Sequence, residues 1–524
     1  MENQLSIRLR FWVRCYLLFV VGSAGGALIS GCNSERTPAE SQAGAEPPSI
    51  VSADELQSWH VKKATGGPTF SGGPAWQANM RFVEDGLRTA GVDLTKEPIT
   101  YRRWYASDAV DAVDRALKIG GESIPVAGYW AYSGSTDMDG VTAPMIYYER
   151  NMPAEKLKDN IVVFDVSTVP DSMRSAFLSG NVYATEDIAG QGASIASDQW
   201  FQGNFITRFG KYDELLKHSG AVGALVIFDM SPGRAAGLYT FPLLNPGIFG
   251  VPGLYLDRVA GLKVREAAKE GQQATLVLKA REEVAETYFL YGYLPGREHG
   301  TPEDELVLLV THSEGPNLTQ ENGTLGILAI VDYFAQVPRE ARRRSLLILF
   351  DPQHYMPGRH LVHWYEDHPD IVSRIVASVG VEQLGQKEYS EDGDDFGLNG
   401  LPEPTLIFVQ DNPRLIEFAI QAVKDGGLPR TEVRVPSRGG QGMWAGLGDV
   451  AVKHNIPGFA ISSGMSGYWT TTPGIESFDA ELCRRQIGVL VSLTQTLMDA
   501  DLEDIAVPVV DPAKNPAMSP GVRR

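Results

Sequence analysis

Three cysteines in 524 residues leave little room for disulfide chemistry. Cys15 lies in an N-terminal apolar leader and Cys32 at its end, so Cys483 alone belongs to the globular part and an internal disulfide is excluded there. Cys483 sits in a helical pattern, Ala480 to Leu490, where a lone cysteine packs as a small apolar residue. Basic clusters are also missing. With 46 Lys and Arg against 65 Asp and Glu, the net charge is -19 and the pI about 5.0, which argues against nucleic acid as a partner. No Gly-x-Ser-x-Gly elbow occurs, nor a Gly-rich phosphate loop followed by Lys and Ser or Thr. Serine-hydrolase and nucleotide-hydrolase chemistry therefore have no support. The apolar run from Tyr16 to Ile29 is short for a stable span of a hydrocarbon core ~30 Å thick.

That run follows Arg8, Arg10 and Arg14 and ends in Leu28-Ile29-Ser30-Gly31-Cys32, which reads as an export signal over residues 1–31. A cysteine directly after small residues resembles the lipobox of bacterial lipoproteins. The resemblance implies cleavage before Cys32, lipidation of Cys32, and an exported, membrane-anchored protein, periplasmic or at the cell surface. An ordinary secretory signal would export the chain equally. Residues 32–50, rich in Ser, Ala, Glu, Gly and Pro, bury too little to offset their ordering entropy and read as a flexible tether.

About 450 residues follow, more than one hydrophobic core usually serves, so two domains are expected. Ala75 to Gly91 has apolar spacing of helical period and ends at a capping glycine, within a first stretch, 51–155. Between 156 and 286 lie short buried-strand runs, Ile161 to Val166 and Ala224 to Met230, with the helical segment from Tyr212 between them and a further strand at Val251-Pro252-Gly253. This order resembles the protease-associated (PA) domain. From 287 to 506, near-continuous apolar runs alternate with helices: Leu306 to His312, the helix Leu325 to Gln336, then Ser345 to Asp351. Such alternation predicts an α/β domain with a mostly parallel mixed sheet, its site at the C-terminal strand ends. Residues 507–524 are Pro-rich without periodicity and read as a disordered tail.

The stretch from Tyr288 to Gly358 resembles the co-catalytic zinc exopeptidases of metallopeptidase family 28, which include aminopeptidases and glutamate carboxypeptidase, often with an inserted PA domain. In that family a strand ends in His-x-Asp; here it ends in His312-Ser313-Glu314. His312 would ligate zinc and Glu314 would support it. The bridging carboxylate falls on Asn322 without a gap, or on Glu321 with a one-residue slip. The family's Glu-Glu, general base then ligand, is replaced by Gln353-His354. A neutral amide cannot take a proton from metal-bound water, whereas imidazole remains a good zinc ligand. Glu382 stands where the next acidic ligand is expected, and Trp469 where the last histidine ligand is expected. Trp cannot bind zinc.

The resemblance thus implies either a zinc remnant held by His312, Glu321, His354 and Glu382, or a cleft with no cofactor. The first reading is a metallo-exopeptidase with altered ligands. The second, favoured because the base and one ligand are lost together, is a peptide- or protein-binding module on a peptidase fold, its ligand in the cleft or at the PA domain. Two further patterns are weaker. His360 and His363 stand three apart on a helical segment and read as surface or packing histidines, and the acidic run Glu388 to Asp395 lacks the twelfth-position Glu of an EF-hand and reads as a solvated loop.

Overall fold

The computed structural model describes residues 47–106, 114–166, 180–189, 202–203, 206, 211–240, 248–358, 360–439, 444, 447–467, 469–472 and 474–508. The export signal, Cys32 and most of the tether fall outside them, as do residues 509–524 of the expected tail. From Pro48 onward the chain forms one compact unit.

Its strands begin with β1 (Asp93–Tyr105), β2 (Arg115–Ile119), β3 (Glu122–Ile124), β4 (Gly128–Tyr129), β5 (Val141–Tyr147) and β6 (Ile161–Asp165). Next come β7 (Asn181–Ala184), β8 (Gly223–Ile227), β9 (Gly253–Leu256), β10 (Gln273–Leu278), β11 (Arg281–Leu294), β12 (Leu306–His312) and β13 (Ser345–Asp351). The last are β14 (Ile375–Val381), β15 (Lys387–Asp392), β16 (Asp395–Pro402), β17 (Thr405–Val409), β18 (Thr431–Arg434) and β19 (Gly458–Ser463).

Among the described residues, nine strands form one mixed sheet in the order β1-β11-β13-β12-β14-β19-β17-β18-β7. Its centre, β13-β12-β14-β19, is parallel, and antiparallel pairs flank it. The sequence explains the centre: β12 and β13 are buried at every position, as a sheet covered on both faces requires. Alternate residues serve opposite faces. Val307, Leu309, Leu346 and Ile348 pack with the helices Gly323–Ala335 and Ala480–Asp499, whereas Leu306, Leu308, Leu347 and Leu349 pack with Leu361 and Trp364 of the helix His360–Asp367. Cys483 is fully buried on the first face, where a packing residue belongs. The helix predicted near Ala75 runs Pro74–Thr89, with proline in its first turn and Trp76, Met80, Val83 and Leu87 turned inward at spacings of three and four.

A second sheet, β3-β2-β10-β5-β6-β8-β9-β4, carries a parallel centre of its own in β5-β6-β8-β9. It reaches back to Arg115, ahead of residue 156, because β10 lies between β2 and β5 and pairs antiparallel with both. Together the sheets and their helices give the expected α/β class.

The acidic run Glu388 to Asp395 is largely exposed, as expected, but it is not a loop. It spans nearly all of β15 and the turn of a separate two-stranded hairpin, β15-β16, in which Tyr389 stacks on Phe396 at 5.1 Å. Its two glutamates have partners: Glu388 pairs with Arg430 at 2.8 Å, and Glu391 pairs with Arg234 at 2.9 Å and with Arg258. His363 is exposed on its helix.

Candidate active-site cleft

The site gathers where the parallel strands end. His312 closes β12 and lies in register opposite Asp351, the last residue of β13. Its Nδ1 is 3.5 Å from Asp351 Oδ2, and its Nε2 is 3.8 Å from Oε1 of Glu382, which directly follows β14. The His354 ring stacks parallel on His312 with centroids 4.5 Å apart, and His354 Nδ1 meets Glu321 Oε1 at 2.8 Å. Glu321 is placed by the loop ahead of the helix Gly323–Ala335. That helix starts hard against the sheet, since a Cβ on Gly323 would lie 2.0 Å from both Thr311 Oγ1 and Val381 O.

Four residues singled out in the sequence therefore meet: His312, Glu321, His354 and Glu382. Asp351 joins them and was missed, because it reads as the end of an apolar strand. Its place opposite a histidine across parallel strands was the available signal.

The other four stand apart from the cluster. Glu314 spans its own loop: Oε1 accepts the Ser71 N–H at 2.9 Å, and Oε2 accepts those of His354, Tyr355 and Met356 at 3.0, 2.5 and 2.7 Å. It fixes the backbone that carries His354 instead of orienting His312. Asn322 receives the Leu384 N–H and donates to Leu384 O, both at 2.8 Å, with its amide also 3.0 Å from His60 Nε2. Glu321, not Asn322, thus points its carboxylate into the cluster. Gln353 donates its amide to Met356 O at 3.0 Å and Gly358 O at 2.5 Å, closing the turn after β13. Trp469 is fully buried with φ of 69°, its backbone N–H donating to Gln320 Oε1 at 2.9 Å.

Two buried groups that the sequence did not flag complete the surroundings. His60 stacks on Phe478 at 3.7 Å, and burial holds its pKa down to about 3. Lys63 donates to Asn317 O and Leu318 O at 3.0 and 3.1 Å; burial brings its pKa down to about 8 against the attraction of Glu321.

Electrostatics divide the two stacked histidines. Burial opposes charge on His312, but Asp351, Glu382 and Glu321 outweigh it and push the pKa up to about 10. Burial and the neighbouring charge of His312 hold His354 well below the usual histidine range. Burial also raises Glu321 and Glu382 to about 8 each. The carboxyls around His312 thus favour its charged form, and His312 in turn disfavours charge on His354.

Two imidazoles and three carboxyls are donors zinc accepts, yet the residues do not fit a bridged zinc pair. Where the resemblance leads one to expect a last ligand and a base, the chain carries the buried Trp469 and the Gln353 amide, which is tied to backbone carbonyls.

This architecture, with a parallel sheet centre and the acid-histidine cluster at its strand ends, places the chain in the fold class of the zinc exopeptidases. It is similar to a peptidase M28 precursor from Shewanella amazonensis SB2B, with a TM-score of 0.60 and 14% identity over 87% of this chain and 98% of that one. It is also similar to BSAP, a zinc aminopeptidase from Bacillus subtilis, with a TM-score of 0.57 and 14% identity over the same shares. An aminopeptidase from Aneurinibacillus sp. strain AM-1 gives 0.54 and 12% identity over 88% of this chain and 97% of that one. No family model matches the sequence, and no curated protein matches it. The likeness at these identities is one of fold, and it is the fold that the resemblance to metallopeptidase family 28 implied.

Proposed function

We propose that the chain is an exported lipoprotein, tethered to a membrane through Cys32, whose exopeptidase-like fold has lost hydrolysis and binds a peptide or protein. One observation carries this reading: at the base position, the Gln353 amide is committed to Met356 O and Gly358 O. It has no proton to exchange at neutral pH and no freedom to polarise a water. The buried Trp469 supports the same reading, since an indole at the position where the resemblance expects a histidine cannot ligate zinc. The ligand sits in the cleft beside His312 and His354 or on the 156–286 segment that resembles a PA domain.

A second reading, a metallo-exopeptidase with altered ligands, is favoured by two atoms. His312 Nδ1 and Glu321 Oε2 are buried without a hydrogen-bond partner among the described residues, an arrangement that costs free energy unless something else engages them. Elemental analysis of the protein purified without chelators, run beside an aminopeptidase substrate panel, separates the two. We expect substoichiometric zinc and no turnover. Stoichiometric zinc with turnover abolished by His312→Ala would replace the first reading with the second.

A further inference from the structure

Two Asn-Gly pairs occur in the chain, Asn322-Gly323 and Asn399-Gly400. Their surroundings are opposite. Asn322 is fully buried, its amide fixed to the Leu384 N–H, Leu384 O and His60 Nε2, and Gly323 is pressed against Thr311 and Val381. Asn399, Gly400 and Leu401 are exposed on β16. There they form a bulge: Tyr389 pairs with Leu398 and Lys387 with Pro402, so three residues of β16 stand opposite Glu388 alone.

The bulge organises the Asn399 side chain. Its Oδ1 accepts the Leu401 N–H at 2.9 Å, the side-chain turn that asparagine makes with the backbone two residues on. Its Nδ2 donates to Glu388 Oε2 at 2.5 Å. Gly400 takes a φ of 82° and lies in open space, since a Cβ built on it would meet nothing within 4 Å. One N–H donor thus polarises the Asn399 side-chain carbonyl, while the backbone nitrogen next in the chain is shielded by no side chain of its own.

We propose that Asn399 is a site of spontaneous deamidation, and that its conversion loosens the β15-β16 hairpin. Gly400 N attacks Asn399 Cγ to close a cyclic imide; the Cγ–Nδ2 bond breaks, and the proton lost from Gly400 N leaves on the departing ammonia. Negative charge that develops on Oδ1 during the attack falls beside the Leu401 N–H. Water then opens the ring, at Cγ to give aspartate or at the Asn399 main-chain carbonyl to give isoaspartate. The aspartate product puts a carboxylate where an amide donor faced Glu388, and like charges repel. The isoaspartate product lengthens the main chain by a methylene. Both act on a fastened part of the hairpin, because Glu388 pairs with Arg430 at 2.8 Å and Tyr389 donates its N–H to Ser466 Oγ at 2.8 Å.

The test incubates the full chain, in non-ionic detergent, in heavy-oxygen water at neutral pH and physiological temperature. Digestion in ordinary water at mildly acidic pH and peptide mass spectrometry follow. Heavy oxygen marks conversion that preceded digestion, and fragment masses place it within the peptide. Labelled aspartate and isoaspartate are expected at position 399, forming on the order of tenfold or more faster than at 322, where the buried pair cannot reach the attacking geometry. Gly400→Ala should slow conversion on the order of tenfold, with circular dichroism reporting the fold. Should that variant misfold, the comparison of the two pairs in the unaltered chain still decides. An Asn399 that keeps its amide, or reacts no faster than Asn322, would overturn the site. Asn399→Asp carries the product charge from the outset and should exchange amide hydrogens faster than the unaltered chain over residues 387–402. Equal exchange there would overturn the loosening.

Discussion

At the scale of single residues, Trp469 and Gln353 are structural members of this fold. Trp469 is the clearest. Its indole is fully buried, a Cβ on Gly203 would lie 3.3 Å from it, and Tyr355 meets it edge-on at 6.5 Å. Trp469→His, the change that would return a ligand to that position, should therefore destabilise the fold by about 2–4 kcal/mol through lost packing. Urea denaturation measures the cost, and a neutral result would mean that the indole is dispensable and the position still open to a ligand. Glu403 offers a pH-dependent test away from the cluster. Burial, against the hydrogen bonds of Ser466, raises its carboxyl from 4.5 to about 8. A carboxyl that binds its proton more tightly when folded contributes its full stability below about pH 4.5 and loses it as pH rises through 8. Stability should fall from about pH 5 to about pH 8, by an amount on the order of 2–4 kcal/mol from this group. Glu403→Gln should flatten part of that fall in urea midpoints taken across the range; an unchanged slope would remove Glu403 as its source.

At the scale of elements, the sequence was readable where one strand carries its own evidence. The apolar runs of β12 and β13 and the helical spacing after Pro74 announce buried elements without knowledge of their neighbours, and His312 and Glu382 follow as residues at strand ends. What was not readable depends on partners far along the chain. Glu314 became a loop anchor because its donors come from residues 71 and 354–356. The choice between Glu321 and Asn322 turned on the backbone of Leu384, which counting cannot locate. The anchoring of the acidic hairpin was not readable because Arg234 and Arg258 lie over a hundred residues before it. Those contacts make Glu391 the residue that fastens β15-β16 to the second-sheet half: it also accepts the Ser231 N–H at 2.5 Å, and its partners hold its carboxyl below the usual range despite burial. Glu391→Ala leaves two part-buried arginines without their shared anion. The expected cost is about 1–3 kcal/mol, with faster hydrogen exchange concentrated in residues 387–402. Exchange unchanged in the hairpin would show that its stacked Tyr389 and Phe396 suffice to hold it.

At the scale of the whole molecule, the question is what would keep a protein of this charge at a membrane. No helix among the described residues is long and apolar enough to cross one. A net charge of -19 is repelled by anionic head groups, so electrostatic adsorption would work against membrane residence. The lipid proposed on Cys32 would supply an anchor, since each buried CH₂ contributes ~0.8 kcal/mol and more than one acyl chain is needed for stable attachment. The tether then sets the reach. Fifteen residues lie between Cys32 and the start of the compact unit at Pro48, and a flexible chain of that length has a root-mean-square span of about 19–23 Å. Cys32→Ser should move the chain from the membrane pellet to the soluble fraction and abolish incorporation of labelled palmitate, with the urea midpoint of the folded part unchanged. A variant that stayed in the pellet after a high-salt wash would place the anchor elsewhere and withdraw Cys32 from that role.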